Sequence, residues 1–183
     1  SPCCRQRKQK WFKSRSYKVK HSEPQVLIFR QPVSHIGQVC VDSLQSAEQA
    51  GFTVPEGTNI LAAECKEVGE NEPLTREKLS PVIAVLKSES REDGITKARQ
   101  MVEFNGLGHS AAIHTADEEL TKEFGKAVKA IRVICNSPST FGGIGDVYNA
   151  FLPSLTLGCG SYGHNSVGDN VSAINLLNIK KVG

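Results

Sequence analysis

The residue of this sequence best suited to acid–base chemistry is His109, in the turn GLGHS. Its glycine neighbours would let the backbone approach a substrate closely. An imidazole titrates near neutral pH and can serve as a general acid or base. The alternative is an ordinary loop histidine hydrogen-bonded to backbone, and the residues alone leave both open. His114, which alternates within the run HSAAIHT, is predicted to be structural.

Two glycine-rich segments have the composition of ligand-binding loops. The segment GCGSYG at 158–163 satisfies GxGxxG, but a dinucleotide fingerprint follows a strand and opens a helix. The residues after it, HNSVGDNVS, do not begin an apolar helical stripe, so we interpret these glycines as turn formers. The segment GGIG at 142–145 could turn backbone amides toward an anion, but it lacks the lysine and Ser/Thr of a P-loop.

The six cysteines are predicted to be reduced thiols, because most are widely scattered in a chain long enough to build its own core. Cys159 lies between two glycines and could be reactive. Nothing around it predicts a depressed pKa, so a packed or bystander thiol is the alternative. The sequence contains no CxxC, and its five histidines show no zinc-finger spacing. We therefore expect no metal site.

The hydrophobic periodicity predicts an α/β fold. Short apolar runs predict strands at 59–65, 81–87, 109–115 and 131–135. One helix is predicted from the start signal Ser90 and Asp93 to the stop at Gly106, and a second from a capping box of Thr115 and Glu118. This alternation indicates a largely parallel sheet with flanking helices.

Ligands of open parallel sheets bind beyond the carboxyl ends of the strands. That rule directs attention to the turns beside the predicted strands, at 77–81, 106–110 and 136–145. After Asn136 the sequence becomes rich in Gly, Ser, Pro and Asn. Ordered loops of this length tend to be functional, so we expect them to surround a ligand.

The charge distribution divides the chain. Residues 1–46 hold nine Lys or Arg against two acids, whereas the remainder holds 13 against 17. The first 20 residues could contact a nucleic acid or an anionic surface, but a solvated terminus is the preferred interpretation. No apolar run is long enough for a membrane span, and the N-terminus does not resemble a secretion signal. We expect a cytoplasmic protein.

Five segments, in order along the chain, are similar to the aldehyde dehydrogenase half of bacterial bifunctional aldehyde/alcohol dehydrogenases. They are AEQAGFTVPEGTNIL, EPLTREKLSPVIAV, GLGHSAAIHT, VICNSPSTFGGIGDVYN and SLTLGCGSYGHNSVGDNVSAINLLNIKKV. The resemblance covers residues 47–183, and residues 1–46 do not resemble the family. It implies a fragment of the acylating aldehyde dehydrogenase catalytic domain at 47–150, followed by a loop-rich oligomerisation arm and the start of a linker at 151–183.

The resemblance also implies a reaction, its cofactors and its partners. Acetaldehyde or another short aldehyde would be interconverted with its acyl-CoA through a cysteine thioester, with NAD as cofactor and coenzyme A as co-substrate. Glu77 matches the glutamate that binds the nicotinamide ribose, Leu79 the apolar residue beside the nicotinamide, and His109 an active-site histidine. A homo-oligomer and a fused iron-type alcohol dehydrogenase half are further expectations.

The sequence departs from the family pattern at the nucleophile. No segment like FDNGxxCxSEQ precedes EKLSP, and Cys3 and Cys4 lack its neighbours. The dinucleotide-binding domain is missing as well, so we expect this chain alone to be inactive. Residues 1–46 could be an altered reading frame, a fusion or a divergent replacement. The other functional hypotheses are a non-catalytic oligomerisation module and, least favoured, a nucleic-acid binder.

Overall fold

The computed structural model describes residues 11–12, 43–49, 51, 53–78 and 80–183. The strands are β1 (Trp11–Phe12), β2 (Leu61–Cys65), β3 (Val82–Leu86), β4 (Gly108–Ile113) and β5 (Ala130–Cys135). The helices are α1 (Ser43–Gln49), α2 (Arg91–Phe104), α3 (Glu118–Ala127) and α4 (Ser139–Ile144), with short 3₁₀ turns at Pro73–Thr75, Asp146–Tyr148, Ser161–Gly163 and Ala173–Leu176. All four strands and both helices predicted from the periodicity are confirmed. Apart from Trp11 and Phe12, the basic first 20 residues lie outside the described part.

The two long helices begin at side-chain caps. Ser90 caps α2 as predicted, since its hydroxyl accepts a hydrogen bond from the Asp93 N–H at 3.2 Å. The predicted Thr115 cap of α3 is wrong, because the carboxylate of Asp117 accepts from the Leu120 N–H at 3.0 Å. Thr115 instead accepts from the Asp117 N–H at 3.0 Å. It therefore lies too early to cap α3 and orders the turn that leads to the cap.

The core lies between α2, α3, β4 and β5. Helix α2 contributes Ile95, Ala98 and Val102, and α3 contributes Leu120 and Phe124. These residues recur every three or four positions, which places them on one face of each helix. They pack against the inward side chains of β4 and β5, namely Ala111, Ile113 and Ala130.

The strands form two separate sheets in the described part of the chain, so the expectation of a single sheet is wrong. Strands β2 and β3 pair in parallel, with β1 antiparallel on the other side of β2. Strands β4 and β5 pair in parallel as a second sheet. Pairing between consecutive strands is a tendency and not a requirement. Here α2 directs its apolar face to the core at β4 and β5, while the burial of β3 is only intermediate along most of its length.

The segment 151–183 is loop-rich, as predicted. A bridge joins Leu157 to Asn170, and the backbone N–H of Gly160 donates to the Val167 carbonyl at 3.0 Å. The buried Asn170 side chain donates to the carbonyls of Gly143 and Leu152 at 3.0 and 2.7 Å, and so attaches this arm to α4. None of the helices in the described residues has the length and apolarity that crossing a bilayer demands.

Candidate functional site

His109 is the second residue of β4 and is half-buried. Gly106 (φ +132°) and Gly108 (φ +85°) turn the chain from α2 into this strand in a conformation that side-chain-bearing residues rarely adopt. The ring Nδ1 lies 3.0 Å from the hydroxyl of the buried Ser110. The hydroxyl can donate to Nδ1 or accept from it, so this contact orients the ring and is compatible with either tautomer.

The segment 158–163 packs directly on the turn before His109. A Cβ added to Gly108 would lie 2.1 Å from the carbonyl oxygen of Cys159. A Cβ added to Gly163 would lie 2.3 Å from the Cβ of Cys159 and 3.0 Å from the Leu107 carbonyl oxygen. Both glycines are thus needed for close backbone approach. The segment contains only a three-residue 3₁₀ turn, which supports the interpretation of its glycines as turn formers.

Glu77 lies in a turn attached to the end of α2. Its N–H donates to the side-chain oxygen of Asn105, the C-cap of α2, at 3.2 Å. The guanidinium of Arg76 stacks over the Phe104 ring at 4.6 Å. Asn105 precedes His109 by four residues, a span of at most about 14 Å even when fully extended. The structure therefore places Glu77 and His109 at the same end of α2.

Lys78 folds back on the turn that precedes Glu77. Its ammonium donates to the carbonyl of Arg76 at 2.9 Å and to that of Leu74. Burial lowers the pKa of Lys78, and the nearby Cys65 and Glu77 oppose that shift. The hydrogen bonds close the turn and fix the backbone that carries Glu77. Leu79, the third predicted site residue, lies outside the described residues.

Glu77 precedes β3 and His109 is the second residue of β4, so both lie at the amino ends of their strands and not at the carboxyl ends that the rule for open sheets favours. The carboxyl ends of β4 and β5 are occupied instead by a structural cross-link. The Asn136 side chain accepts from the Thr115 N–H and donates to the Thr115 carbonyl, both at 2.9 Å. These bonds join the carboxyl ends of β4 and β5. The candidate residues Glu77 and His109 lie instead at the amino ends of β3 and β4.

The thiols of the described residues differ in accessibility. Cys65 is buried, and desolvation raises its pKa to about 11. Cys135 is exposed and Cys159 is half-buried, and all three are free, as predicted. Because the thiolate is the nucleophilic form, Cys65 is unsuited to thioester chemistry near neutral pH. Cys3 and Cys4 lie outside the described residues. Within the described ranges no three His, Cys, Asp or Glu side chains form a cluster that could hold a metal.

Sequence reasoning missed Arg132, a charged residue in the middle of β5. Its side chain is buried, with 3% of the residue exposed. Its Nη1 donates to the Gly158 carbonyl at 2.7 Å, and its Nη2 donates to the same oxygen. Desolvation lowers the pKa of the guanidinium, while Cys159 and Asp169 oppose that shift. A charge at an inward position of the apolar run IRVIC was the signal that could have identified it.

Comparisons with known proteins identify close relatives for most of the chain. No family model matches. An aldehyde-alcohol dehydrogenase of Streptococcus pneumoniae is 99% identical over 137 residues, which is 75% of this chain and 16% of the relative. The bifunctional aldehyde-alcohol dehydrogenase of Escherichia coli is 45% identical over 140 residues, again 16% of its length. The chain thus spans about a sixth of these relatives.

Solved structures show the same fold. A probable aldehyde dehydrogenase from Listeria monocytogenes aligns with 80% of this chain at a TM-score of 0.73 and 35% identity. An acetylating aldehyde dehydrogenase from Geobacillus thermoglucosidasius aligns with 80% of the chain at a TM-score of 0.71 and 35% identity. The chain covers 32% and 34% of those two structures, respectively.

Proposed function

The matched three quarters of this chain belong to the acylating aldehyde dehydrogenase domain of aldehyde-alcohol dehydrogenases, and we propose that the chain supplies part of the active site of such an enzyme. The complete enzyme would interconvert acetaldehyde, or another short aldehyde, with its acyl-CoA. The family uses NAD(P) and coenzyme A, and NAD is the cofactor proposed here. The observation that carries the proposal is the 99% identity over 137 residues.

Glu77 is proposed to bind the ribose of the nicotinamide half of NAD. A carboxylate accepts hydrogen bonds from two neighbouring hydroxyls at once, which suits a ribose. The Glu77 turn is fixed by the Asn105 and Lys78 hydrogen bonds, so its backbone is ordered before a ligand arrives. Leu79 is proposed to pack near the nicotinamide. NAD would accept the hydride that the aldehyde carbon loses when the cysteine thioester forms.

His109 is proposed to transfer a proton to or from the coenzyme A thiol. In the acyl-transfer step the coenzyme A sulfur attacks the thioester carbonyl, and the enzyme cysteine leaves as a thiolate. The imidazole would accept the thiol proton as the new bond forms. Its contact with Ser110 at 3.0 Å supports this role, because it holds one ring nitrogen and orients the other.

The nucleophilic cysteine is proposed to lie outside this chain. Cys65 is buried with a raised pKa, and none of Cys40, Cys135 and Cys159 lies in a segment like the family's nucleophile motif. The chain alone should therefore produce no NADH from acetaldehyde, coenzyme A and NAD. Robust turnover that survives Cys3→Ala and Cys4→Ala would contradict this account of the missing nucleophile. A cytoplasmic location is part of the proposal, and the free thiols support it.

The role of His109 is tested in a complete dehydrogenase that carries this segment. We expect His109→Asn to retain a burst of one NADH per active site without coenzyme A, because thioester formation does not need that proton acceptor. Steady-state turnover with coenzyme A should fall by about 10² to 10⁴, the usual contribution of general acid–base catalysis. His114→Asn is the control and should retain both phases. Loss of the burst, or full turnover with coenzyme A, would contradict the assignment.

A second function, assembly with further copies of the same protein, is favoured by the arm at 151–183. Seven of its large aliphatic side chains are exposed: Leu152, Leu155, Ile174, Leu176, Leu177, Ile179 and Val182. Exposed apolar residues in this number indicate a surface that another protein covers. The bifunctional relatives imply a fused alcohol dehydrogenase half, and an iron-type half is proposed as an intramolecular neighbour.

Light scattering tests the assembly proposal. We expect a mass that rises with concentration, and a lower mass for Leu176→Asp with Leu177→Asp, because each carboxylate would be desolvated in an apolar interface. The exposed substitution Lys180→Asp is the control for added negative charge. A strict monomer at high concentration would exclude assembly through this arm.

A further inference from the structure

Arg132 is a buried charge that no carboxylate among the described residues contacts directly. Its two terminal nitrogens both donate to the Gly158 carbonyl, while its Nε has no hydrogen-bond partner within the described residues. No carboxylate of the described part lies within salt-bridge distance of it. Burying a guanidinium in this way is costly. We therefore expect this buried guanidinium to have a structural role that a neutral side chain could not fill.

The Arg132 hydrogen bonds fix the segment that covers the His109 turn. Gly158 precedes Cys159, whose carbonyl oxygen would be 2.1 Å from a Cβ on Gly108. The segment then returns at Gly163, whose N–H donates to the Cys159 carbonyl at 3.2 Å. Gly108 in turn immediately precedes His109. Displacing Gly158 would therefore release the backbone that packs against the residue next to the imidazole.

Arg132 is also the cross-strand neighbour of Ser110, the residue that contacts the His109 ring. In the β4–β5 ladder Ser110 is the direct partner of Arg132. Both residues are buried, and neighbouring side chains of paired strands project from the same face of a sheet. Ser110 contacts the His109 Nδ1 at 3.0 Å. Arg132 is thus connected to His109 from two directions, through Gly158 to Gly108 and across the ladder to Ser110.

We infer that Arg132 is a positioning residue, which holds the 158–163 segment on Gly108 and thereby fixes the orientation of the His109 ring. A guanidinium suits this task, because its planar fork directs two donors at one carbonyl oxygen. The inference rests on the proposed role of His109 for its functional meaning. Its test uses the folded 183-residue chain without substrate, so a failed dehydrogenase assay does not affect the result.

The test is the ¹⁵N NMR titration of the histidine rings in four variants. Arg132→Met removes the two hydrogen bonds and the charge, and Arg132→Lys retains the charge without the fork. Gly163→Ala leaves Arg132 intact but introduces a Cβ 2.3 Å from that of Cys159. Gly168→Ala is the matched control in the same arm, since its nearest neighbour would be an ordinary 3.7 Å away.

We expect the His109 ring nitrogens to change their shifts and pH midpoint in Arg132→Met and Gly163→Ala, and partly in Arg132→Lys. Those of His114 should stay unchanged in every variant, and Gly168→Ala should resemble the parent. A change in Arg132→Met but not in Gly163→Ala would indicate a charge effect alone and overturn the inference. Unchanged His109 signals in both would also overturn it. If Arg132→Met fails to fold, the His109 shifts of Gly163→Ala and Arg132→Lys test the inference, and unchanged shifts in both would overturn it.

Discussion

At the scale of single residues, chemistry is decided by surroundings that residue type does not reveal. Cys65 and Cys135 each end a strand, yet Cys65 is buried and Cys135 is exposed. Burial raises the pKa of Cys65 to about 11. At pH 8 only about a thousandth of this thiol would be the reactive thiolate. The same residue type therefore gives one inert and one accessible position.

Alkylation with iodoacetamide at pH 8, followed by peptide mass spectrometry, measures this difference. We expect Cys135 to be modified and Cys65 to be protected in the native chain, because the Cys65 thiol is both inaccessible and protonated. Both should react at similar rates in denaturant, which is the control. Equal native rates would show that Cys65 is accessible and available as a nucleophile.

His109 and Arg132 show how far single residues could be predicted from the sequence. His109 could be selected because its glycine neighbours and imidazole are visible in the sequence. The packing of the 158–163 segment on the preceding Gly108 depends on folding, since Cys159 is 51 positions from Gly108. Arg132 was missed because the Gly158 carbonyl that accepts its hydrogen bonds lies 26 positions away in sequence. Periodicity assigns a side chain to a face but cannot supply a distant partner.

At the scale of elements, caps and strand pairing differ in how local they are. Ser90 was predicted correctly because its acceptor role involves only the next three residues. The α3 cap is predicted at Thr115 because Thr115 and Glu118 have the spacing of a capping box, and only the backbone geometry selects Asp117. The arrangement in two sheets depends on which strands α2 and α3 pack against. That packing joins residues far apart in sequence, so a local pattern does not predict it.

The α3 cap predicts a pH-dependent effect of Asp117→Ala. The Leu120 N–H and then the Arg91 guanidinium lower the pKa of Asp117 from its ordinary value of 3.8. A depressed carboxyl pKa contributes stability above the unfolded pKa and loses it as pH falls through the folded pKa. Asp117→Ala should therefore lower the denaturant midpoint of unfolding at pH 7. The difference in midpoint between the parent chain and the variant should shrink below about pH 4.

Thr115→Val is the matched control for the cap. It removes the hydrogen bond to the Asp117 N–H but leaves the helix-capping carboxylate in place. We expect a smaller loss of midpoint, with no comparable change between pH 7 and pH 3, because no carboxylate is lost. A deficit for Asp117→Ala that stays constant across this range would contradict the electrostatic part of the cap.

At the scale of the whole molecule, we propose that the chain carries one side of the active site of a larger enzyme. It spans about a sixth of the aldehyde-alcohol dehydrogenases it matches. The α2 C-terminus brings the Glu77 and His109 turns to the same end of that helix. The family resemblance could be predicted from five ordered segments. The position of the Glu77 and His109 turns at the amino ends of β3 and β4 could not, because strand-end rules favoured the edge that Asn136 occupies.

A crystal structure of the complete dehydrogenase carrying this segment, with NADH and coenzyme A bound, tests the central claim most directly. The account predicts that the Glu77 carboxylate lies within about 3.2 Å of the nicotinamide ribose hydroxyls. It also predicts that the coenzyme A sulfur lies within reach of the His109 ring, directly or through one water. Ligands bound beyond the carboxyl ends of β4 and β5, near Thr115 and Asn136, would contradict it.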